Sequence, residues 1–158
     1  MESDPNVMRY TSGEAKDMAE NTIDLNRCIH AYSDPENRFR IWAVEQKSTS
    51  KMVGTCALVA SDEFELPKEY HDGAGQIDEI GYRFLQSEWR KGWGQEVCDG
   101  LIDHCIERLS ATTLIAQVDA LNVASVRILD RSKLIEIPEI KPANCGCDRV
   151  YIWQRHSN

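Results

Sequence analysis

Long apolar runs are missing from this 158-residue chain, and with them any stretch able to cross a bilayer as a helix. Its first residues, Met1-Glu-Ser-Asp-Pro5, hold neither a basic region nor an apolar one, so no export signal is read and a cytoplasmic location is expected. Positive charge is in short supply: 18 Lys and Arg stand against 26 Asp and Glu, for a net charge of −8. No basic stripe is present to displace counterions from a phosphate backbone, which argues against a nucleic-acid partner. The same balance favours a cationic or neutral substrate, and it also serves solubility. Repeats, low-complexity tracts and linkers are absent too. The expectation is therefore one domain over residues 1–158, a length that buries about two thirds of the unfolded surface.

Paired metal ligands are lacking as well. Of six cysteines, Cys28, Cys56, Cys98 and Cys105 lie in apolar stretches, where a reduced thiol acts as a small hydrophobe. Cys145 and Cys147 could form half of a zinc site, but no second paired motif supplies the remaining ligands, so no metal is expected. The histidines show no ligand spacing either. His104 falls mid-helix, as a surface residue, and His71 stands in a long loop where it could face a substrate.

What is present alternates between strand and helix patterns. Ser12 to Ala31 reads as a helix capped by Thr11 or Ser12, with Ala15, Met18, Ala19, Ile23 and Ile29 loosely along one face. Phe39 to Glu45 and Lys51 to Ala60 read as a hairpin, and Ile77 to Leu85 as a third strand after the acidic loop Ser61 to Gly75. From Gly92 to Leu109 the apolar residues Val97, Leu101, Ile102, Cys105, Ile106 and Leu109 recur at helical spacing. Thr112 to Val118 is a strand, Val123 to Arg131 a short helix, and Leu134 to Ile140 and Arg149 to Gln154 close the series as strands.

Between the third strand and the long helix lies Gln86-Ser-Glu-Trp-Arg-Lys-Gly-Trp-Gly-Gln-Glu96, a cationic, glycine-rich turn that opens into a helix. The first N–H groups of a helix lack intrahelical partners and carry about half a positive charge, so such a turn suits an anion. Gly92 and Gly94 would let a pyrophosphate approach the backbone, and Arg90 and Lys91 would add charge. An ordinary strand-to-helix turn with solvated cations is the alternative for a lone Gly-x-Gly.

The context makes the turn more specific. Glu79-Ile-Gly-Tyr-Arg-Phe-Leu85 followed by Trp89-Arg-Lys-Gly-Trp-Gly-Gln-Glu96 resembles the strand and pyrophosphate loop of GNAT acetyltransferases, and within them the RimJ/RimL type. Asn122-Val-Ala-Ser125 is similar to the Asn-x-x-Ser that follows the next strand in that group, and Asp4 to Tyr10 resembles the stretch after the family's first helix. The resemblance implies an α/β GNAT fold, a mixed and mostly antiparallel sheet flanked by helices. It implies acetyl-CoA as cosubstrate and a primary amine as acceptor, either a protein N-terminus or a small amine. It places the pyrophosphate on Trp89, Arg90, Lys91, Gly92, Trp93 and Gly94, the pantetheine arm along the backbone of Arg83, Phe84 and Leu85, Asn122 beside the cofactor and Ser125 near the sulfur.

Acyl transfer to an amine asks for a deprotonated nucleophile, an oriented carbonyl and a proton for the leaving group. Glu79 is the first candidate for the base, acting through water, against a structural or substrate-charge role for a strand carboxylate; Asp78 is the second candidate. Ser125 is a candidate donor, against a plain position in a helix that Asn122 caps. Tyr82 is a candidate wall of the acceptor pocket, against core packing, and Trp42, Trp89 and Trp93 carry the same two readings.

Four departures from the family pattern stand out. The tyrosine acid of many members is replaced by Leu129, and Trp89 opens the phosphate motif. By the same resemblance the family's first strand is expected to be absent, which would leave a sheet edge open or covered by another chain, as in a homodimer. Lys133-Leu134 stands where Gly-Phe is usual, at about 1 kcal/mol if a left-handed turn is kept. A catalytically impaired acyl-CoA-binding protein and an unrelated nucleotide-binding module are the competing readings.

Overall fold

The computed structural model of the chain describes residues 1–34, 36–61, 64–70, 76–140 and 146–155. In chain order the elements are α1 (Pro5–Met8), α2 (Met18–Ala31), β1 (Arg40–Gln46), β2 (Lys51–Ala60), β3 (Ile77–Phe84), α3 (Trp93–Glu107), β4 (Thr113–Val118), α4 (Val123–Leu129), β5 (Ile135–Glu136) and β6 (Arg149–Gln154). The strands form one sheet in the order β1-β2-β3-β4-β6-β5, antiparallel throughout except for the β3–β4 pair. It is the mixed, mostly antiparallel sheet the sequence suggested. Among the described residues β1 pairs with β2 alone, so its outer edge is open. Tyr32 blunts that edge at one point, its hydroxyl accepting from the Ile41 amide at 2.8 Å and donating to the Ile41 carbonyl.

Alternation sorts side chains to the two faces of the sheet. On one face Leu58, Ile80, Leu114, Ala116, Val118 and Tyr151 meet Cys98, Leu101, Ile102 and Cys105 of α3, with Val126 and Leu129 of α4 closing the layer. The helical spacing read from the sequence is the cause, although Leu109 lies beyond the last turn and is exposed. Burial pushes the Cys98 and Cys105 thiols up to about 12, which makes them inert at neutral pH. On the opposite face Ile77, Ile115, Ile137 and Ile152 gather Phe64, Leu66, Tyr70 and Ile140.

The first helix differs from the expectation in both start and face. Asp17 caps α2, accepting from the Glu20 amide at 2.8 Å while the Glu20 carboxylate accepts from the Asp17 amide at 2.8 Å, a capping box that displaces Thr11 and Ser12 from the role. No residue of α2 is buried: Met18 is 82 % and Ile29 60 % exposed. Residues 5–8 instead form α1, capped by Asp4 with Pro5 in the first turn. The Leu134 to Ile140 strand shrinks to Ile135–Glu136, because Pro138 has no N–H for the ladder; Ile137 adds one bond to the Val150 carbonyl at 2.8 Å. The left-handed turn considered at Lys133 is not formed. Positive φ at non-glycine residues is confined to Ser50, Arg90 and Ser110 among the described residues, and Ser132 closes the end of α4 through its hydroxyl. No helix is long and apolar enough to cross a membrane among the described residues.

Candidate active site

The β3–β4 pair is where the sheet opens. Pairing runs Ile77↔Thr113, Asp78↔Leu114 and Glu79↔Ile115, then stops, while β3 stays registered with β2 as far as Gly54↔Phe84 and β4 stays with β6 as far as Val118↔Arg149. From Ile80 and Ala116 onward the two strands therefore diverge. A cavity of 690 Å³ fills the gap and runs on to the start of α3.

Strand geometry assigns the backbone groups of this gap. Ser61 N donates to Ile77 O at 2.8 Å and Leu85 N to Val53 O at 2.9 Å, at the two ends of an unbroken β2–β3 register. Odd-numbered residues of β3 thus spend their amides and carbonyls on β2, and the even ones, Ile80, Tyr82 and Phe84, turn theirs toward the gap. The backbone segment expected to face a pantetheine arm, Arg83 to Leu85, is corrected accordingly: Phe84 faces the gap, whereas Arg83 and Leu85 face β2. The Phe84 carbonyl is already held by the Trp89 indole N–H at 3.0 Å.

Side chains alternate in the same way. Glu79, Gly81 and Arg83 lie on the face away from α3, opposite Val59, Ala57 and Thr55 of β2, and all six line the cavity. Glu79 accepts from the Gln117 amide at 2.8 Å. Burial raises its pKa above the usual carboxylate range, and hydrogen bonds from Gln117 and Ser61 offset part of that rise. Arg83 bonds Glu2 at 2.5 Å, and Glu2 in turn pairs with Lys16 at 3.2 Å. Asp78, the second candidate base, is tied down: it is 5 % exposed, and its Oδ1 accepts from Arg38 Nε at 3.2 Å and Nη2 at 2.7 Å.

Tyr82 points the other way, toward α3, and packs against the main core. Its hydroxyl oxygen is buried without a hydrogen-bond partner among the described residues. Burial drives its pKa far up and the neighbouring Cys98 adds to the rise, while Ser125 beside it offsets part of it. Ser125 lines the same cavity from α4, whose first turn Asn122 caps by accepting from the Ser125 amide at 3.3 Å. Leu129 is buried in the core.

At the wide end of the gap, a 3-10 turn at Gln86–Glu88 leads into Trp89, Arg90 and Lys91, and α3 starts at Trp93. Arg90 has φ 64° and Gly92 φ 89°, and glycine at position 92 is what makes the second left-handed residue cheap. No side chain caps α3, and its first ladder bond is Glu96 N to Gly92 O at 3.3 Å, so the amides of Trp93, Gly94 and Gln95 have no intrahelical acceptor. Gly94 has a packing reason beside the one expected. A Cβ there would lie 2.6 Å from Ile128 Cδ1, so the missing side chain lets α3 close on α4. Glu88 accepts from Lys91 at 3.0 Å and from the Trp93 indole at 3.2 Å, which ties Lys91 to a carboxylate.

Of the residues singled out in the sequence, Glu79, Tyr82, Arg83, Phe84, Trp89, Arg90, Gly92, Trp93, Gly94, Asn122 and Ser125 line this cavity; Leu85 and Lys91 do not. His71 and Cys145 lie outside the described residues. Trp42 belongs to the core, edge-on to the exposed His104 at 5.8 Å. Gln117, Glu88, Arg127 and Arg131 escaped motif reading, although a lone amide in the apolar run Leu114 to Val118 is a signal for the first. Among the described residues no group of His, Cys, Asp or Glu could hold a metal ion.

The fold is shared with solved acetyltransferases. An aminoglycoside acetyltransferase, AAC(6')-Ib, in complex with coenzyme A and kanamycin superimposes with a TM-score of 0.71 at 10% identity, over 97% of this chain and 84% of that one. Spermidine N-acetyltransferase from Vibrio cholerae, in complex with CoA and spermine, gives 0.67 at 17% identity, over 96% and 83%. The acetyltransferase (GNAT) domain profile matches residues 1–134, and the chain belongs to this family. Among curated relatives, the uncharacterized N-acetyltransferase p20 of Bacillus licheniformis is 28% identical over 135 residues, 81% of this chain and 66% of p20. The chain thus spans about two thirds of that relative's length.

Proposed function

We propose that this chain is a single-domain, RimJ/RimL-type N-acetyltransferase of the cytoplasm that moves an acetyl group from acetyl-CoA to a primary amine. The observation that carries the reading is the continuity of one cleft. Backbone groups unpaired by the β3–β4 splay lead directly to the free amides of α3, which suits an extended ligand with a peptide-like arm and a pyrophosphate end. Trp93, Gly94 and Gln95 would hold the pyrophosphate by backbone, with Arg90 adding charge; Ile80 and Tyr82 would pair with the arm. Acetyl-CoA supplies the activated acyl carbonyl.

The chain's own contribution lies on either side of β3. Glu79, fixed by Gln117 and raised in pKa by burial, suits a general base that takes a proton from an ammonium through water. Ser125, beside the Tyr82 hydroxyl, holds a proton at Oγ on the opposite wall. The acceptor would lie over Ala57 and Gly81, where a single methyl group and no side chain at all leave the floor beside Glu79 open. Small polyamines, aminoglycoside-like amines and protein N-termini all present the required amine, and the relatives bound to spermine and kanamycin favour the small ones.

Thermal-shift titration tests the ligand: acetyl-CoA and CoA should stabilise the protein and ATP should not. No shift with acetyl-CoA would sink the assignment. Thiol release with a panel of amines and peptides then separates an enzyme from a protein that only binds acyl-CoA.

A further inference from the structure

The chain has a net charge of −8, yet one wall of the cleft collects unspent cations. Several arginines are engaged: Arg38 with Asp78, Arg83 with Glu2, Arg149 with Glu136, and Arg155 with the carbonyls of Ala111 and Ile106. Arg127 and Arg131 differ. Both line the cavity, both are exposed, and neither has an ion pair or side-chain hydrogen bond among the described residues. The carboxylates around them are committed elsewhere. Asp130, between them in sequence, accepts from Tyr151 at 2.6 Å and faces Arg149 at 3.7 Å, Asp99 accepts from Gln95 at 3.1 Å, and Asp119 accepts from the Leu121 amide at 2.7 Å.

Their place in the fold is set by Ile128. That residue packs on the first turn of α3, where Gln95 Nε2 donates to its carbonyl at 3.5 Å and Gly94 leaves room for its side chain. Arg127 and Arg131 are four residues apart, so they share one side of α4 and its continuation. Both therefore flank the uncapped start of α3. A ligand anchored there by a pyrophosphate would have its ribose end within reach of this flank of the same cavity.

We propose that Arg127 and Arg131 bind the 3′-phosphate of the coenzyme A ribose and set a preference for the phosphorylated cosubstrate over its dephospho form. The inference rests on the acyl-CoA reading above. A phosphate monoester carries nearly two negative charges at neutral pH, and the guanidinium is the side chain matched to it. The site is exposed, so the preference is modest and weakens with salt.

Calorimetric titration of CoA and of dephospho-CoA into the wild-type protein and into Arg127→Gln/Arg131→Gln tests this. Wild type is expected to bind CoA about fivefold to tenfold more tightly than dephospho-CoA, two exposed charge-assisted contacts each giving a few-fold. In the double variant that ratio should fall toward one through weaker CoA binding, with dephospho-CoA affinity changing less than about twofold. Arg108→Gln, on the exposed far end of α3, controls for net charge and should keep the wild-type ratio. Equal affinity of the wild type for both ligands would overturn the inference while leaving acyl-CoA binding intact, as would a double variant that keeps the full preference. Binding of neither ligand would sink the parent reading and this inference with it.

Discussion

Glu79 combines two properties that pull against each other. Burial raises its pKa above the ordinary value of 4.5, which makes it a better base and a worse contributor to stability at neutral pH. A carboxyl group whose folded pKa is raised adds stability at pH values below its unfolded pKa, and that stability is lost as pH rises through the folded value. Glu79→Gln should therefore raise the melting temperature at pH 7 while lowering kcat by about a hundredfold. The acid limb of the wild-type kcat/KM profile should lie above the usual carboxylate range and vanish in the variant. Gly81 offers a cleaner probe of the acceptor floor. A Cβ there meets no atom within 4 Å and the backbone is ordinary strand, so Gly81→Ala and Gly81→Val should fold normally. Steady-state kinetics should show KM for the amine rising from alanine to valine, with CoA affinity unchanged. Asp78 behaves as structure: Arg38→Ala strands a buried carboxylate and should cost about 2 kcal/mol or more in denaturant unfolding. The difference between Asp78 and Glu79, neighbours in sequence, was not legible there, because it depends on an arginine forty residues away.

At the scale of elements, periodicity announced β1 to β4, α3 and β6 to within a residue or two, since each buries a regular face. The failures have local causes. Helix α2 buries no residue, so its apolar spacing carried no information about a core, and the Asp17-x-x-Glu20 box was the reliable sign of its start. Asp17→Ala should therefore cost about 1 kcal/mol, seen as faster amide exchange across α2. The glycine-bearing turn that opens α3 was legible in the sequence, but the division of labour inside it was not. Gly92 serves the backbone and Gly94 serves helix packing, a distinction that lies in φ and in the position of Ile128. Gly92→Ala should weaken CoA binding and lower stability by about 1 kcal/mol, the cost of a left-handed alanine.

For the molecule as a whole, the topology accounts for the site. A sheet that is antiparallel on both flanks and parallel only at β3–β4 can part along that one seam, because β2 holds β3 and β6 holds β4 while the seam itself is paired over three residues. The helix that connects the two strands starts at the wide end of the parting and points its free amides into it. Family resemblance and fold agree on this architecture, and under the proposed reading the residues that choose the acceptor would lie on the face of β2 and β3 away from α3. The central claim is that acetyl-CoA lies in this seam. Residue-resolved amide hydrogen exchange with and without acetyl-CoA tests it most directly. With acetyl-CoA in the seam, new protection is expected at the gap-facing amides of Ile80 and Tyr82 and at Trp93, Gly94 and Gln95, with Gly81 and Arg83 unchanged because β2 already holds them. Binding without protection at these amides, or with protection elsewhere, would contradict it.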